Sequence, residues 1–284
     1  MTFKFVAALA GAATVALAIP ASAQDEAPRP AGEPRFNGFY VGASGGYDVQ
    51  GNDIGSRIEF DRNLDGRFGD TVRTAGGADA FSPGFCNGRA TRTGNVGCRN
   101  DKDGWSYNAR VGADAQFGKI VVGAVGEFGK TDITDSVSAF STTPASYTMT
   151  RSVDWEAGAR GRLGYVAGDS TLFYGTFGAG YARIDRDFET SNGVNTFEAR
   201  GKRNRWGTQA GGGVEQLIGN NFSLGLEYLW HQYDDGNGRV RATAGTAPAT
   251  NPFILPPNTA GTDFRRTDDK FRWHSLRATA AFRF

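Results

Sequence analysis

Trp105-Ser106-Tyr107-Asn108-Ala109-Arg110-Val111-Gly112-Ala113-Asp114-Ala115-Gln116-Phe117 alternates from end to end. Trp105, Tyr107, Ala109, Val111, Ala113, Ala115 and Phe117 form one face, and Ser106, Asn108, Arg110, Gly112, Asp114 and Gln116 the other. Successive side chains of a strand point to opposite sides, so a period of two marks a strand with an apolar medium on one side and a polar one on the other. The charges sit in mid-strand and the largest aromatics at the two ends. That arrangement suits a strand crossing a bilayer, with aromatic residues at both interfaces.

The pattern repeats outward from this segment. Gly118-Lys119 is a two-residue turn, followed by a strand with Ile120, Val122, Ala124, Gly126 and Phe128 on one face and Glu127 on the other, blurred by Val121 and Val125. The next strand sets Val153, Trp155, Ala157, Ala159, Leu163 and Tyr165 against Asp154, Glu156, Arg160 and Arg162. Ala167-Gly168-Asp169-Ser170 turns into a strand carrying Phe173, Phe177, Ala179 and Tyr181. A segment from about Arg205 to Leu217, then Phe222 to His231 and a last strand ending at Phe284, repeat the alternation, as does Phe39 to Tyr47 near the start. The count is eight. Three connections are turns of a few residues and four are segments of roughly 20 to 55 residues, in strict alternation. Short turns at one end and long loops at the other predict an all-β, eight-stranded, antiparallel up-and-down transmembrane barrel with periplasmic turns and four long extracellular loops. Closure into a barrel is required because lipid cannot satisfy the hydrogen bonds of a sheet edge. A soluble sandwich or barrel would share the period of two; the paired aromatics, the alternating connections and the terminal Phe284 argue against it.

The ends of the chain fit export. Lys4 precedes an apolar run, Phe5 to Ala18, and Ala21-Ser22-Ala23 is an A-x-A cleavage pattern. The run is shorter than the roughly 20 residues of a spanning helix, so residues 1–23 read as a signal peptide cut after Ala23. Residues 24–35, with three prolines, read as a periplasmic leader, and 36–284 as the barrel. The chain has 41 Gly and 21 Phe but 2 Cys, 2 Met and 2 His, and a net charge of +1. A balance so near zero speaks against nucleic acid as a partner. Cys86 and Cys98 lie close together in a polar stretch, and in an exported chain they are expected to form a disulfide that staples the first long loop, Gln50 to Gly104.

Phe36-Asn37-Gly38-Phe39-Tyr40-Val41-Gly42 resembles the opening strand of the small outer-membrane barrels of Gram-negative bacteria often called the porin family, the barrels like that of outer membrane protein A. Leu276 to Phe284 resembles the C-terminal signal read by the outer-membrane assembly machinery, with Phe282 and Phe284 as its aromatic positions. The resemblance implies residence in the outer membrane, a monomer, and lipid, lipopolysaccharide and that machinery as partners. It is specific for the fold and weak for activity.

An eight-stranded barrel has an interior that side chains can fill. The polar faces supply Arg110, Asp114, Glu127, Glu156, Arg160, Arg162, Glu215, Glu227 and Arg277. Buried charges must be paired, at a cost of several kcal/mol each if they are not, so a salt-bridged plug is expected. Inward glycines (Gly42, Gly112, Gly158, Gly164 and Gly178) would give the arginines room. They also keep open the alternative of a narrow passive channel, and the long loops that of an adhesin or receptor. In the first loop, Asp61-Arg62-Asn63-Leu64-Asp65-Gly66 with Asp70 matches the start of a calcium loop, but Val72 stands where an EF-hand has Glu. A solvated Asx turn competes with calcium there, and no other cofactor is indicated. Catalysis finds little support: His231 and His274 read as rim residues, His231 near Asp234 and Asp235, with no nucleophile pattern beside them.

Overall fold

The computed structural model describes residues 34–51, 56–81, 101–201, 203–236 and 238–284. Residues 1–23, expected to be a signal peptide, most of the expected leader, and both Cys86 and Cys98, expected to pair, lie outside the described residues. Thirteen strands are seen in the described chain: β1 (Gly38–Val49), β2 (Ile58–Asp61), β3 (Gly104–Phe117), β4 (Ile120–Thr131), β5 (Thr134–Ser141), β6 (Ala145–Ala167), β7 (Thr171–Thr190), β8 (Thr196–Arg200), β9 (Asn204–Ile218), β10 (Phe222–Asp234), β11 (Arg239–Thr243), β12 (Thr262–Arg266) and β13 (Lys270–Arg283).

Eight of them close a ring in the order β1, β3, β4, β6, β7, β9, β10, β13, every neighbouring pair antiparallel. The pairing of β1 with β13, from Tyr40 opposite Arg283 to Val49 opposite His274, joins the first and last strands of the ring and closes it. At the short turns the chain must reverse within a few residues. Gly118, Gly168 and Gly219 sit there at φ of 61°, 62° and 68°, the left-handed region that glycine enters without steric cost.

The alternation settles which face is which. Phe39, Trp105, Phe117, Leu163, Phe177 and Trp206 all point out of the ring and are more than 60% exposed. Aromatics collect on this outer face at two levels. Trp155 and Tyr165 stand ten residues apart on β6, about 34 Å along the strand and about 26 Å along the barrel axis at a tilt near 40°. That is close to the apolar band a bilayer covers.

Two departures from simple alternation have physical causes. Val121 and Val125 point inward and are buried. Val121 packs with Phe36, Val166, Leu172, Tyr174 and Leu217 in an apolar cluster near the turn end of the barrel, and Val125 packs with Tyr40 and Ala281. Val153, expected on the outer face with Trp155, is instead buried inside with Ile133, Ile184 and Trp273. The register between β6 and β7 shifts between Val153 and Trp155. Such a bulge inserts one residue and flips the parity of everything beyond it.

At the loop end, β6 and β7 run well past the aromatic level, and β5 pairs with the projecting part of β6. Four short segments of the described loops form a second, four-stranded sheet in the order β2, β12, β11, β8. Phe60, Phe81, Tyr147, Phe253 and Phe264 meet in its core, with ring centroids 4.4–6.0 Å apart for the Phe60–Phe81, Phe60–Phe264, Phe253–Phe264, Phe81–Phe253 and Tyr147–Phe264 pairs. Each such ring stabilises the cap by about 1.5–3 kcal/mol through burial. Among the described residues, segments of the long loops therefore build a folded cap.

Candidate functional site: the barrel interior

Every charged residue expected inside the barrel is there, and each is less than 10% exposed. β3, β4, β6, β10 and β13 bring Arg110, Glu127, Arg160, Glu227 and Arg277 together in mid-barrel. Arg277 Nη2 donates to Glu127 Oε2 at 2.6 Å and to Glu227 Oε1 at 2.7 Å. Arg160 Nη2 donates to Glu127 Oε2 at 2.7 Å and lies 3.6 Å from Glu227. Arg110 lies 3.4 Å from Glu127 and 3.5 Å from Glu227. Tyr174 donates its hydroxyl to Glu227 at 2.8 Å. Three guanidiniums thus surround two carboxylates, and the forks of Arg277 and Arg160 lock both acids in place.

A second tier lies nearer the turns. Arg162 contacts Asp114 at 3.3 Å and donates to Glu215. Arg283 donates to Asp114 at 2.8 Å and to Glu215 at 2.7 Å. The guanidiniums stack on rings: Arg162 lies 3.9 Å from the Tyr174 centroid and Arg283 4.7 Å from that of Tyr40.

The third tier lies toward the loops and is built on Glu156. Its Oε1 accepts from Tyr233 at 2.5 Å and from Gln209 at 2.6 Å, and meets His231 Nδ1 at 2.8 Å. Gln209 Oε1 accepts from Arg160 at 2.7 Å, which ties this tier to the central one. His231 stacks on Trp273 with centroids 4.8 Å apart. The expected rim position for His231, beside Asp234 and Asp235, is corrected: the ring is 2% exposed and faces Glu156. Its odd number gives it the inward parity of Glu227 and Tyr233 on β10, and Asp234 takes the opposite face and pairs with Lys270 at 3.0 Å. His274 keeps the outer face, where its Nδ1 lies 2.6 Å from the Tyr228 hydroxyl.

Ser275 Oγ lies 3.0 Å from His231 Nε2. With Glu156 on the other ring nitrogen, the three side chains have the contact order of a serine–histidine–acid relay. Ser275 is 2% exposed, however. A substrate carbonyl could reach its Oγ only by displacing the interior around it. Chemically the trio acts as a hydrogen-bonded chain that satisfies three buried polar groups.

The close fit explains the glycines. A Cβ at Gly112 would meet Tyr40 Cζ at 2.2 Å, and one at Gly158 would meet Gln209 Oε1 at 2.3 Å. At these two positions the room goes to Tyr40 and Gln209, which hold Arg162 and Arg160, and not to the arginines directly.

Above the barrel, a further ion cluster joins wall and cap. Arg151 lies 2.5 Å from Asp135 and 3.6 Å from Asp235, and Arg266 also donates to Asp135. Burial would raise the Asp135 carboxyl, but the Arg151 and Arg266 guanidiniums outweigh it and hold the group below the usual aspartate range. These partners come from β5, β6, β12 and the segment after β10, and alternation gives no hint of them. Arg283, Tyr40, Tyr174, Gln209 and His231 were absent from the expected network, although the inward parity of their strands carried the signal.

The Asp61–Asp70 segment folds as a series of Asx turns. Asp61 accepts from the backbone N–H of Gly66 at 2.8 Å, Asn63 from Asp65 at 3.0 Å, Asp65 from Arg67 at 2.8 Å and Asp70 from Arg62 at 2.7 Å. Among the described residues no group of three or more His, Cys, Asp or Glu side chains is placed to hold a metal ion.

Over 195 residues the chain is 26% identical to the 31 kDa outer-membrane immunogenic proteins of Brucella melitensis and Brucella suis, matching 69% of this chain and 70% of theirs. The fold is that of an outer-membrane β-barrel. Among solved structures, outer-membrane protein OprG of Pseudomonas aeruginosa aligns over 88% of this chain and 97% of its own, at 12% identity and a TM-score of 0.47. The outer-membrane protease OmpT of Escherichia coli aligns over 92% of this chain and 99% of its own, at 9% identity and a TM-score of 0.40. No protein-family model matches the sequence.

Proposed function

We propose that this chain is a non-catalytic outer-membrane barrel whose lumen is closed, and whose folded cap presents a rigid outer surface. One observation carries the reading. Arg110, Arg160, Arg162, Arg277 and Arg283 face Asp114, Glu127, Glu156, Glu215 and Glu227 across the lumen, and Arg160 and Glu227 side chains are 0% exposed. Five charges of each sign, joined through shared carboxylates and Gln209, leave no continuous water path that would not break paired ions. The mature chain begins at Gln24 in this reading, inserts as a monomer, and is delivered by the assembly machinery through Phe282, on the outer face of β13, and Phe284, just beyond its end. The refolded protein, shown to be inserted by heat-modifiable gel migration, should give no stable conductance steps in a planar bilayer. Large, regular steps would overturn the closed lumen in favour of a porin-like channel.

A surface-interaction role is the second reading. The aromatic core of the cap supports it, since a packed sheet holds a binding or antigenic surface at low entropic cost. The Brucella relatives are named as immunogenic proteins, which is consistent with such an exposed surface. Antibodies raised against residues 239–266 should label intact cells; labelling only after permeabilisation would refute it.

A further inference from the structure

The chain reaches β1 by crossing the turn-end mouth of the barrel. β1 begins at Gly38, and its neighbours in the ring are β3 and β13. Phe36, two residues earlier, is 0% exposed and belongs to the apolar cluster of Val121 on β4, Val166 on β6, Leu172 and Tyr174 on β7 and Leu217 on β9. None of those strands adjoins β1, so the segment spans the mouth to the opposite wall. Arg35 donates through Nη2 to the carbonyl of Gly219, in the turn between β9 and β10, at 2.5 Å. Arg283 lies over Phe36, 5.1 Å from the ring centroid, which puts the aromatic ring directly against the ion tier nearer the turns.

The segment is held lightly. Residues 34–37 belong to no strand. The backbone N–H groups of Arg35 and Phe36 share one acceptor, Gln116 Oε1, at 2.9 and 2.8 Å. The Gln116 amide is aimed by its own bond to the Gly118 carbonyl at 2.7 Å, and Gln116 N–H donates to Asn37 Oδ1 at 3.4 Å. At Gly38 φ is 106°, and a Cβ there would meet the Phe284 carbonyl oxygen at 2.6 Å. The pivot is thus a residue whose conformation and space both call for glycine. On the barrel side, Arg283 Nη1, Asp114 Oδ1 and Ser223 Oγ are buried without a hydrogen-bond partner among the described residues. Arg283 and Asp114 are bonded to each other in the tier nearer the turns, and Ser223 stands opposite Leu217 in register. Buried polar groups without partners are costly. Water admitted here would offset part of the apolar burial lost when Phe36 leaves.

We propose that residues 34–37 are a releasable strap. It pivots at Gly38 between a docked state, in which Phe36 seals the turn-end mouth, and a withdrawn state, in which periplasmic water reaches Asp114, Glu215 and Arg283. The inference rests on the closed-lumen reading and its orientation, with the turns in the periplasm. Arg110, Glu127, Arg160, Glu227 and Arg277 lie deeper in the barrel and are bonded to one another, so withdrawal opens a cup and not a pore. The two states exchange the burial of one aromatic side chain for the hydration of three polar groups. Traction on the preceding chain, which favours only the withdrawn state, therefore shifts the balance between them.

The test uses the refolded full chain in non-ionic detergent. Cys86→Ser and Cys98→Ser remove the native thiols, and Leu217→Cys places one in the cup. The readout is the rate of labelling by a charged, water-soluble maleimide. With the strap intact, Leu217→Cys should label slowly. Adding Phe36→Ala should speed labelling about tenfold to a hundredfold, the population shift that loss of one buried aromatic side chain gives. Gln116→Ala, which cuts both backbone tethers and leaves the cup unaltered, should speed it as well, whereas Gln116→Glu, which keeps an acceptor, should not. Ser275→Cys, in the tier toward the loops, should label at one rate with Phe36 or with Phe36→Ala. Fast labelling of Leu217→Cys with the strap intact, or an unchanged rate in both Phe36→Ala and Gln116→Ala, would overturn the strap. A matching rise at Ser275→Cys would overturn it in favour of a barrel loosened throughout. Planar-bilayer conductance of Phe36→Ala separates the two readings: stable steps would refute closure by the ion tiers, and silent bilayers with unchanged labelling would refute the strap alone.

Discussion

Glu227→Gln is the sharpest perturbation of the interior. The substitution is nearly isosteric, so it creates no cavity, and it removes one charge. Glu227 is completely buried and is contacted by Arg277 at 2.7 Å, Arg110 at 3.5 Å and Arg160 at 3.6 Å, with the Tyr174 hydroxyl at 2.8 Å. After the change, three guanidiniums share only Glu127. Removing one partner of a buried ion pair costs about 3–5 kcal/mol, because the other charge stays desolvated. That is roughly a hundredfold to several-thousandfold in the folding equilibrium. A second variant, Glu227→Gln with Arg277→Met, restores the charge balance of the tier. Its cost should be smaller than that of the single change, since contacting residues couple non-additively. Urea titration of the protein in lipid vesicles, followed by tryptophan fluorescence and gel migration, reads both. If Glu227→Gln stays within about 1 kcal/mol of wild type, or the double change costs more than the single one, the ion tiers do not hold the barrel together as argued.

Three further outcomes follow from the same structure. Because Asp135 is held below its ordinary value, its contribution is complete above about pH 4, the unfolded value, and is lost as pH falls through the depressed folded one; hydrogen exchange in β5 and β6 should therefore rise in acid more steeply in wild type than in Asp135→Asn, and a parallel response would refute the assignment. Phe264→Ala, which empties the centre of the cap, should cost the cap about 3–5 kcal/mol and open the loops to protease while gel migration of the barrel is unchanged. Ser275 should resist labelling by a fluorophosphonate probe, and Ser275→Ala should leave insertion intact; stoichiometric labelling would show that the Ser275–His231–Glu156 chain is accessible and that the non-catalytic reading is wrong.

Alternation from Trp105 to Phe117 and its seven counterparts determined the strand count, the antiparallel order, the turns at Gly118, Gly168 and Gly219, and the inward charges from Arg110 to Arg277. That much is local: a period of two assigns a side to every residue of a regular strand, and lipid outside forces the strands to close. Parity also carried Tyr40, Gln209, His231 and Arg283, but it cannot say which inward groups meet, because contacts across the lumen depend on register and stagger. It fails outright at Val153, where one inserted residue inverts the pattern. The cap lay beyond sequence reading altogether. Its strands are four or five residues long and come from three different loops, and Phe60, Phe253 and Phe264 become a core only when the barrel brings those loops to one end. Local pattern thus settled the wall, and tertiary structure decided the pairings inside it and the sheet above it, because contacts between segments far apart in the chain leave no periodic trace.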